Sequence, residues 1–342
     1  MLNSLLANPL FLESAPSKTL RSKPLGLVDV GARSGFYEVI KPLAGATAAL
    51  AFEPDEAECN RLRTAMASHS PWVKCAIESI ALAAQEGESP FFILSSPVNN
   101  SLRMPNSQFI DRYKMVGFNH VATRMVRTSS LDKLLFGPYI SDDSLGEFLK
   151  IDTQGTTFEV LEGAERTLRE RTVAICAEVE FFEMYRGQKL FPEIELFLRK
   201  RGFSFYGFDI HFRSRKLLDK RKSATRERAF FAEAIFFKDP LLGGDSAALL
   251  SERGCHTLFV CALLLGYYDF ALELALETWA RDEGADCMRT LVSQEASFLA
   301  SRAHEDAMAL IQRIQANPEL ANLEVGRFVD RRRCLADYDD VP

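Results

Sequence analysis

The stretch Leu25–Ile40, "LGLVDVGARSGFYEVI", decides how this chain is read. A short apolar run enters a glycine turn, and the pattern beyond the turn predicts a helix. Strand, glycine turn and helix together form a common seat for ligands that carry a nucleoside. The dinucleotide fingerprint, G-x-G-x-x-G, needs its middle glycine so that bare backbone can lie against a pyrophosphate. Here the order is Asp29-Val30-Gly31-Ala32-Arg33-Ser34-Gly35, and Arg33 holds the middle position. Asp29 stands two residues before the first glycine. A carboxylate there repels a diphosphate but attracts an ammonium or sulfonium group. S-adenosylmethionine carries both cations and no phosphate, so the turn suits it better than NAD. The next apolar run, "TAALAFE", ends in Glu53, an acid whose oxygens can accept hydrogen bonds from ribose hydroxyls.

Working outward, apolar runs alternate with helical patterns from about residue 25 to 237. Strands are expected at Leu25–Val30, Thr47–Glu53, around Trp72–Ala76, in "GEFLKID" ending at Asp152, in "TVAICAEVEF", and in "FSFYGFDI" and "RAFFAEAIFFKD". A further short strand is expected at Phe91–Ser95. Pro54 suits the first turn of a helix that places Cys59, Leu62 and Met66 on one face. Pro42 should end or kink the helix after the glycine turn. Gly202 should stop the helix "PEIELFLRKRG". The alternation implies a doubly wound, mostly parallel α/β sheet. No helix separates the last two strands, so an antiparallel pair is expected at one edge. Three segments follow: an N-terminal extension (1–24), the α/β domain (25–240) and an all-helical C-terminal extension (245–342). In the last, "LFVCALLLGYYDFALELALE" resembles one helical-repeat hairpin, without a second copy. A helical cap packed on the main domain is expected there, with "DRRRCLADYDDVP" as a frayed tail.

The chain has 342 residues and a net charge of −6, which does not favour nucleic acid or an anionic membrane as a partner of the molecule as a whole. Its seven cysteines show no C-x-x-C pair, and a reducing cytoplasm suits them. No secretory signal and no transmembrane run is read in it.

Six pieces, in order, carry a resemblance: "LVDVGARSGF", "AFEPDEAECNRL", "NNSLRMPN", "RTSSLDKLL", "FLKIDTQGTTFEVLEGA" and "AEVEFFEMYRGQKLFPEIELFLRKRGF". Together they resemble the FkbM-type family of S-adenosylmethionine-dependent methyltransferases. The resemblance implies a Rossmann-like class I methyltransferase fold with seven strands, and methylation of a hydroxyl oxygen on a sugar or glycan precursor. It implies that Asp29, Gly31 and Gly35 line the methionine end of S-adenosyl-L-methionine and Glu53 its ribose, with Ala32 and Pro54 also among the cofactor-binding residues. Asn100 and Ser101 are weaker cofactor candidates. Many members carry D-x-E-G after the fourth strand; this chain has Asp152-Thr153-Gln154-Gly155 and resembles a D-x-Q-G branch.

Ligands of such sheets bind beyond the carboxyl ends of the strands. That rule selects Asp152 as the base for an acceptor hydroxyl. The competing reading has Asp152 capping the helix that begins near Thr156. Glu178 and Glu180 alternate along strand five and are read as facing opposite sides, with one reaching the site. His120 is a loop histidine that can serve as a base. Tyr185 and Arg186 are candidates for touching the acceptor. Between the last two strands lie eight Lys or Arg, Lys220 and Arg221 among them, expected to overhang the cofactor and recruit an anionic acceptor. With Gln154 beside Asp152, no metal site is assigned. A nicotinamide-dependent oxidoreductase, or a non-catalytic protein docking through its helical tail, are the alternatives.

Overall fold

The computed structural model describes residues 2–138, 140, 142–223, 225–242, 250–280 and 284–332. Among the described residues ten strands form: β1 (Leu25–Val30), β2 (Thr47–Phe52), β3 (Lys74–Glu78), β4 (Ala81–Leu82), β5 (Gly87–Leu94), β6 (His120–Ser129), β7 (Phe148–Ile151), β8 (Ala174–Glu180), β9 (Ser204–Arg213) and β10 (Arg228–Phe237). Seven of them make one sheet in the order β3-β2-β1-β7-β8-β10-β9. β1 lies parallel to β2 and β7, and β7 parallel to β8. β10 is inserted antiparallel between β8 and β9, which completes the expected antiparallel pair at that edge. The order reverses at β1, so the crevice for a ligand opens over the ends of β1 and β7.

Three expectations are corrected. The segment after the glycine turn is a 3-10 stretch, Glu38–Ala46, with Pro42 inside it. Proline lacks an N–H and clashes with the preceding turn, so no full α-helix forms there. The strand expected at Phe91–Ser95 is β5, and it leaves the main sheet to build a three-stranded sheet, β4-β6-β5. Pro54 precedes its helix, which spans Glu56–Ser68 with Asp55 as N-cap.

Each sheet face has its own core. On one, Val30, Leu50, Ile151, Val160, Leu161, Val179 and Phe236 pack with Ile194 and Leu198. On the other, Leu25, Leu27, Phe148, Cys176 and Phe237 pack against Leu258, Phe259, Phe270, Leu274 and Leu291. These last side chains come from the helices Glu252–Leu264, Tyr268–Thr278 and Ala285–Ser301. Leu258, Leu274 and the residues around them are therefore core, as expected for a packed cap. Leu5, Phe11 and Leu20 of the N-terminal segment join the same cluster. Residues 333–342, most of the expected frayed tail, lie outside the described residues.

Candidate active site

The glycine turn bends where β1 ends because Gly31 adopts φ +85°, and a Cβ there would meet the Asp152 carbonyl oxygen at 1.9 Å. No other residue lets the β1 and β7 ends approach so closely. Gly35 also has positive φ, with open space in front of it.

Two adjoining cavities that share lining residues occupy this crevice. A narrow slot of about 60 Å³ is lined by Phe52, Glu53, Pro54, Leu82, Phe91 and Asn100, among others. A wider cleft of about 620 Å³ is lined by Asp29, Gly35, Lys150, Glu178, Arg213 and Phe231, among others. Gly31, Arg33, Asp152 and Gln154 border both. Arg33 stands at the junction, its guanidinium 3.8 Å from Glu53 and 3.4 Å from Asp55.

The acids of the cleft are held in different states. Burial pushes the Asp29 carboxyl up to about 7, although Lys150 and the Tyr37 N–H, which donates to Asp29 Oδ2 at 2.7 Å, pull the other way. Burial also raises Glu53, against the Asp55 N–H and Arg33. Gln154 is the hub. Its Nε2 donates to Asp152 Oδ1 at 2.8 Å and to Glu178 Oε1 at 2.9 Å, while its Oε1 accepts from the Tyr185 hydroxyl at 2.9 Å. Gln154 has φ +55°, and its carbonyl accepts from Ser101 Oγ at 2.6 Å. Burial, then the nearby Asp152 charge, raises Glu178 well above the usual carboxylate range and Glu180 to about 8. The Asp152 charge beside Glu178 disfavours its ionisation, as expected for two close carboxyls that share a site.

Asp29, Gly31, Gly35, Glu53, Pro54, Asn100, Asp152 and Glu178 thus converge on one crevice. Ala32 is buried beside it without lining either cavity. The capping role for Asp152 does not occur: Thr156 is the N-cap of the helix Thr157–Glu162. Other expectations are corrected. Glu178 and Glu180 lie two apart in a strand and so share a face, and both feel the Asp152 charge. His120 begins β6 and is exposed; its Nε2 lies 2.8 Å from Thr123 Oγ1, and it lines neither cavity. Ser101 is buried beneath Gln154, where it supports the left-handed backbone. Tyr185 is fully buried and orients Gln154 instead of facing the cleft. Arg186 is exposed and lines neither cavity. Lys220 pairs with Glu227 and Arg221 with Asp219, outside the cleft, because short local acids capture them. Arg213 is the cation of that loop that reaches the cleft.

Lys150 and Glu233 were not foreseen. Lys150 Nζ bonds Glu233 Oε1 at 2.7 Å and lies 4.0 Å from Asp152. Burial opposes the ammonium, yet the acidic groups around it, Cys176, Asp152 and Glu233, hold its pKa above the usual lysine value. The signal was present in the sequence: a lysine in "FLKI" and a glutamate in "FFAEAIFF" interrupt strands that are otherwise apolar. Charged residues are rarely buried unless paired. No group of three or more His, Cys, Asp and Glu among the described residues is placed to hold a metal ion.

The family model described as "Methyltransferase FkbM domain" matches residues 29–205. Among solved structures, the chain is similar to a methyltransferase FkbM from Methylobacillus flagellatus at 12% identity and TM-score 0.37, covering 63% of this chain and 43% of that one. The chain thus spans less than half the length of that protein. It is also similar to the magnesium protoporphyrin IX methyltransferase of Synechocystis, solved with bound SAM, at 11% identity and TM-score 0.31, covering 66% and 77%. Among curated proteins, none matches. The match over 29–205 spans more than half of the chain, takes in β2 to β8 and most of the residues lining the crevice, and establishes this protein as a member of the FkbM methyltransferase family.

Proposed function

We propose that the chain transfers a methyl group from S-adenosylmethionine to a hydroxyl oxygen, with a sugar or glycan precursor as acceptor and the cytoplasm as its place of action. The observation that carries this reading is the junction at Asp152 and Gln154. It joins a slot ending in Glu53 to a cleft ending in Asp29. Asp29, Gly31 and Gly35 would hold the methionine end, Glu53 the ribose, and Ile80, Leu82 and Phe91 the base. When bound, the cofactor supplies an electrophilic methyl on a sulfonium. Asp152, fixed by the Gln154 amide, accepts the proton of the acceptor hydroxyl. Burial and the Asp152 charge hold back ionisation of Glu178 beside it. The wall of Met115, Phe118, Met184, Phe230 and Phe231 would seat the apolar face of the acceptor, with Arg213 at its polar rim. All six described free cysteines suit a reducing compartment.

The test is thermal unfolding with ligands. S-adenosylhomocysteine should raise the melting temperature and NAD should not; the reverse pattern would move the chain to nicotinamide chemistry. Asp152→Ala should keep that stabilisation and abolish methyl transfer.

A further inference from the structure

The loop joining β9 to β10 concentrates charge of one sign. Arg213, Arg215, Lys216, Lys220, Arg221, Lys222, Arg226 and Arg228 stand against Asp219 and Glu227, in a chain whose net charge is −6. All eight cations are exposed. The two acids are already paired within the loop, Glu227 with Lys220 and Asp219 with Arg221. Between the cations stand Leu217 and Leu218, 76% and 56% exposed.

A formed turn displays these leucines. The Asp219 carbonyl accepts from the N–H groups of Lys222 and Ser223 at 3.0 and 2.9 Å, and Asp219 Oδ1 accepts from the Arg221 N–H at 3.0 Å. Asn322 Nδ2, on the C-terminal helix Ala321–Arg332, donates to the Lys220 carbonyl at 2.7 Å. Two adjacent leucines held outward among cations match the chemistry of an anionic bilayer surface, which rewards apolar insertion and positive charge together. A nucleic acid rewards only the charge, and from Ser214 to Glu227 the loop offers no aromatic ring for base stacking.

We propose that this loop docks the protein on an anionic lipid surface, with Leu217 and Leu218 entering the headgroup region and the surrounding cations facing lipid phosphates. The rest of the chain is acidic, so it would be repelled and the orientation fixed. Arg213, at the root of the loop, lines the cleft. So do Met115 and Gly117, which flank Val116, itself 76% exposed. If the methyltransferase reading holds, the acceptor hydroxyl belongs to a lipid-borne molecule met at the membrane surface. No helix among the described residues is long and apolar enough to cross a membrane, so this attachment would be by the loop.

The experiment is co-sedimentation of the full chain with phosphatidylcholine vesicles with and without phosphatidylglycerol. Binding should require the anionic lipid and weaken as salt rises. Arg215→Glu with Lys222→Glu should weaken it about tenfold or more. Leu217→Ser with Leu218→Ser should leave attraction at low salt and lose binding at physiological salt. No sedimentation with anionic vesicles, equal binding by all three proteins, or binding to RNA without binding to vesicles would each overturn the proposal. Stabilisation by S-adenosylhomocysteine should be the same in all three proteins. Its absence from the unaltered chain would refute the methyltransferase reading and leave the docking result standing.

Discussion

At the scale of the residue, Asp29 couples ligand binding to pH. Its carboxyl titrates at about 7 because it is buried, and only the ionised form attracts the ammonium of the proposed ligand. S-adenosylhomocysteine should therefore bind more tightly as pH rises from 6 to 8, and Asp29→Asn should flatten that dependence in calorimetry. The sign for stability is opposite. A carboxyl raised in the folded state binds its proton more tightly there than in the unfolded chain, so Asp29 and Glu180 both cost stability as pH rises towards 8. The ligand-free protein should melt at a higher temperature near pH 5.5 than near pH 8. Gln154 gives a related prediction. Its amide donates to two carboxyls, and Gln154→Glu would set a third acid against them. That variant should lose about 1–3 kcal/mol, with a deficit in melting temperature that widens from pH 5 to pH 8. Glu53→Ala should reduce the stabilisation by S-adenosylhomocysteine by about 1–3 kcal/mol, if Glu53 accepts from the ribose.

At the scale of the element, one clamp fixes how β1 enters the sheet. Arg253, on the helix Glu252–Leu264, pairs with both oxygens of Glu147 at 2.7 and 3.0 Å and donates to the carbonyls of Lys23 and Pro24. Glu147 in turn accepts from the Gly26 N–H at 3.1 Å. Burial raises the Glu147 carboxyl, and Arg253 counters it. Arg253→Ala leaves that carboxylate without its cation, so it should destabilise the fold by about 2–3 kcal/mol, somewhat below the cost for a fully buried pair. Chemical denaturation measures the loss. Elements were legible in the sequence where an apolar run or helical period met clear punctuation. Leu25–Val30, Thr47–Phe52 and the stop at Gly202 are such cases. The β4-β6-β5 sheet was not legible, because β6 is largely exposed along its length and its apolar alternation is weak.

At the scale of the whole molecule, the C-terminal helices form one face of the core. Leu27, Phe148 and Phe237 of the sheet share a cluster with Leu258, Phe259, Leu274 and Leu291. The short 3-10 stretch Glu38–Ala46 stands where a full helix was expected, and the later helices contribute to covering that face. A chain ending at residue 242 would leave this apolar surface in water. It should be insoluble or lack a cooperative unfolding transition, as solubility on expression and calorimetry would show.

The sequence alone determined the strand–turn–strand spacing of Asp29, Gly31 and Glu53, because that information is local: two short apolar runs, a glycine that must turn, an acid at a strand end. Only the tertiary structure decided which charged groups meet. Gln154 bridges Asp152 to Glu178, a residue 24 positions away, and Lys150 meets Glu233 across 83 positions. Such pairings follow from strand order and insertion, and no local pattern encodes them. The same cause turned Tyr185 inward as a positioning group, whereas Lys220 and Arg221 are held by acids within their own loop.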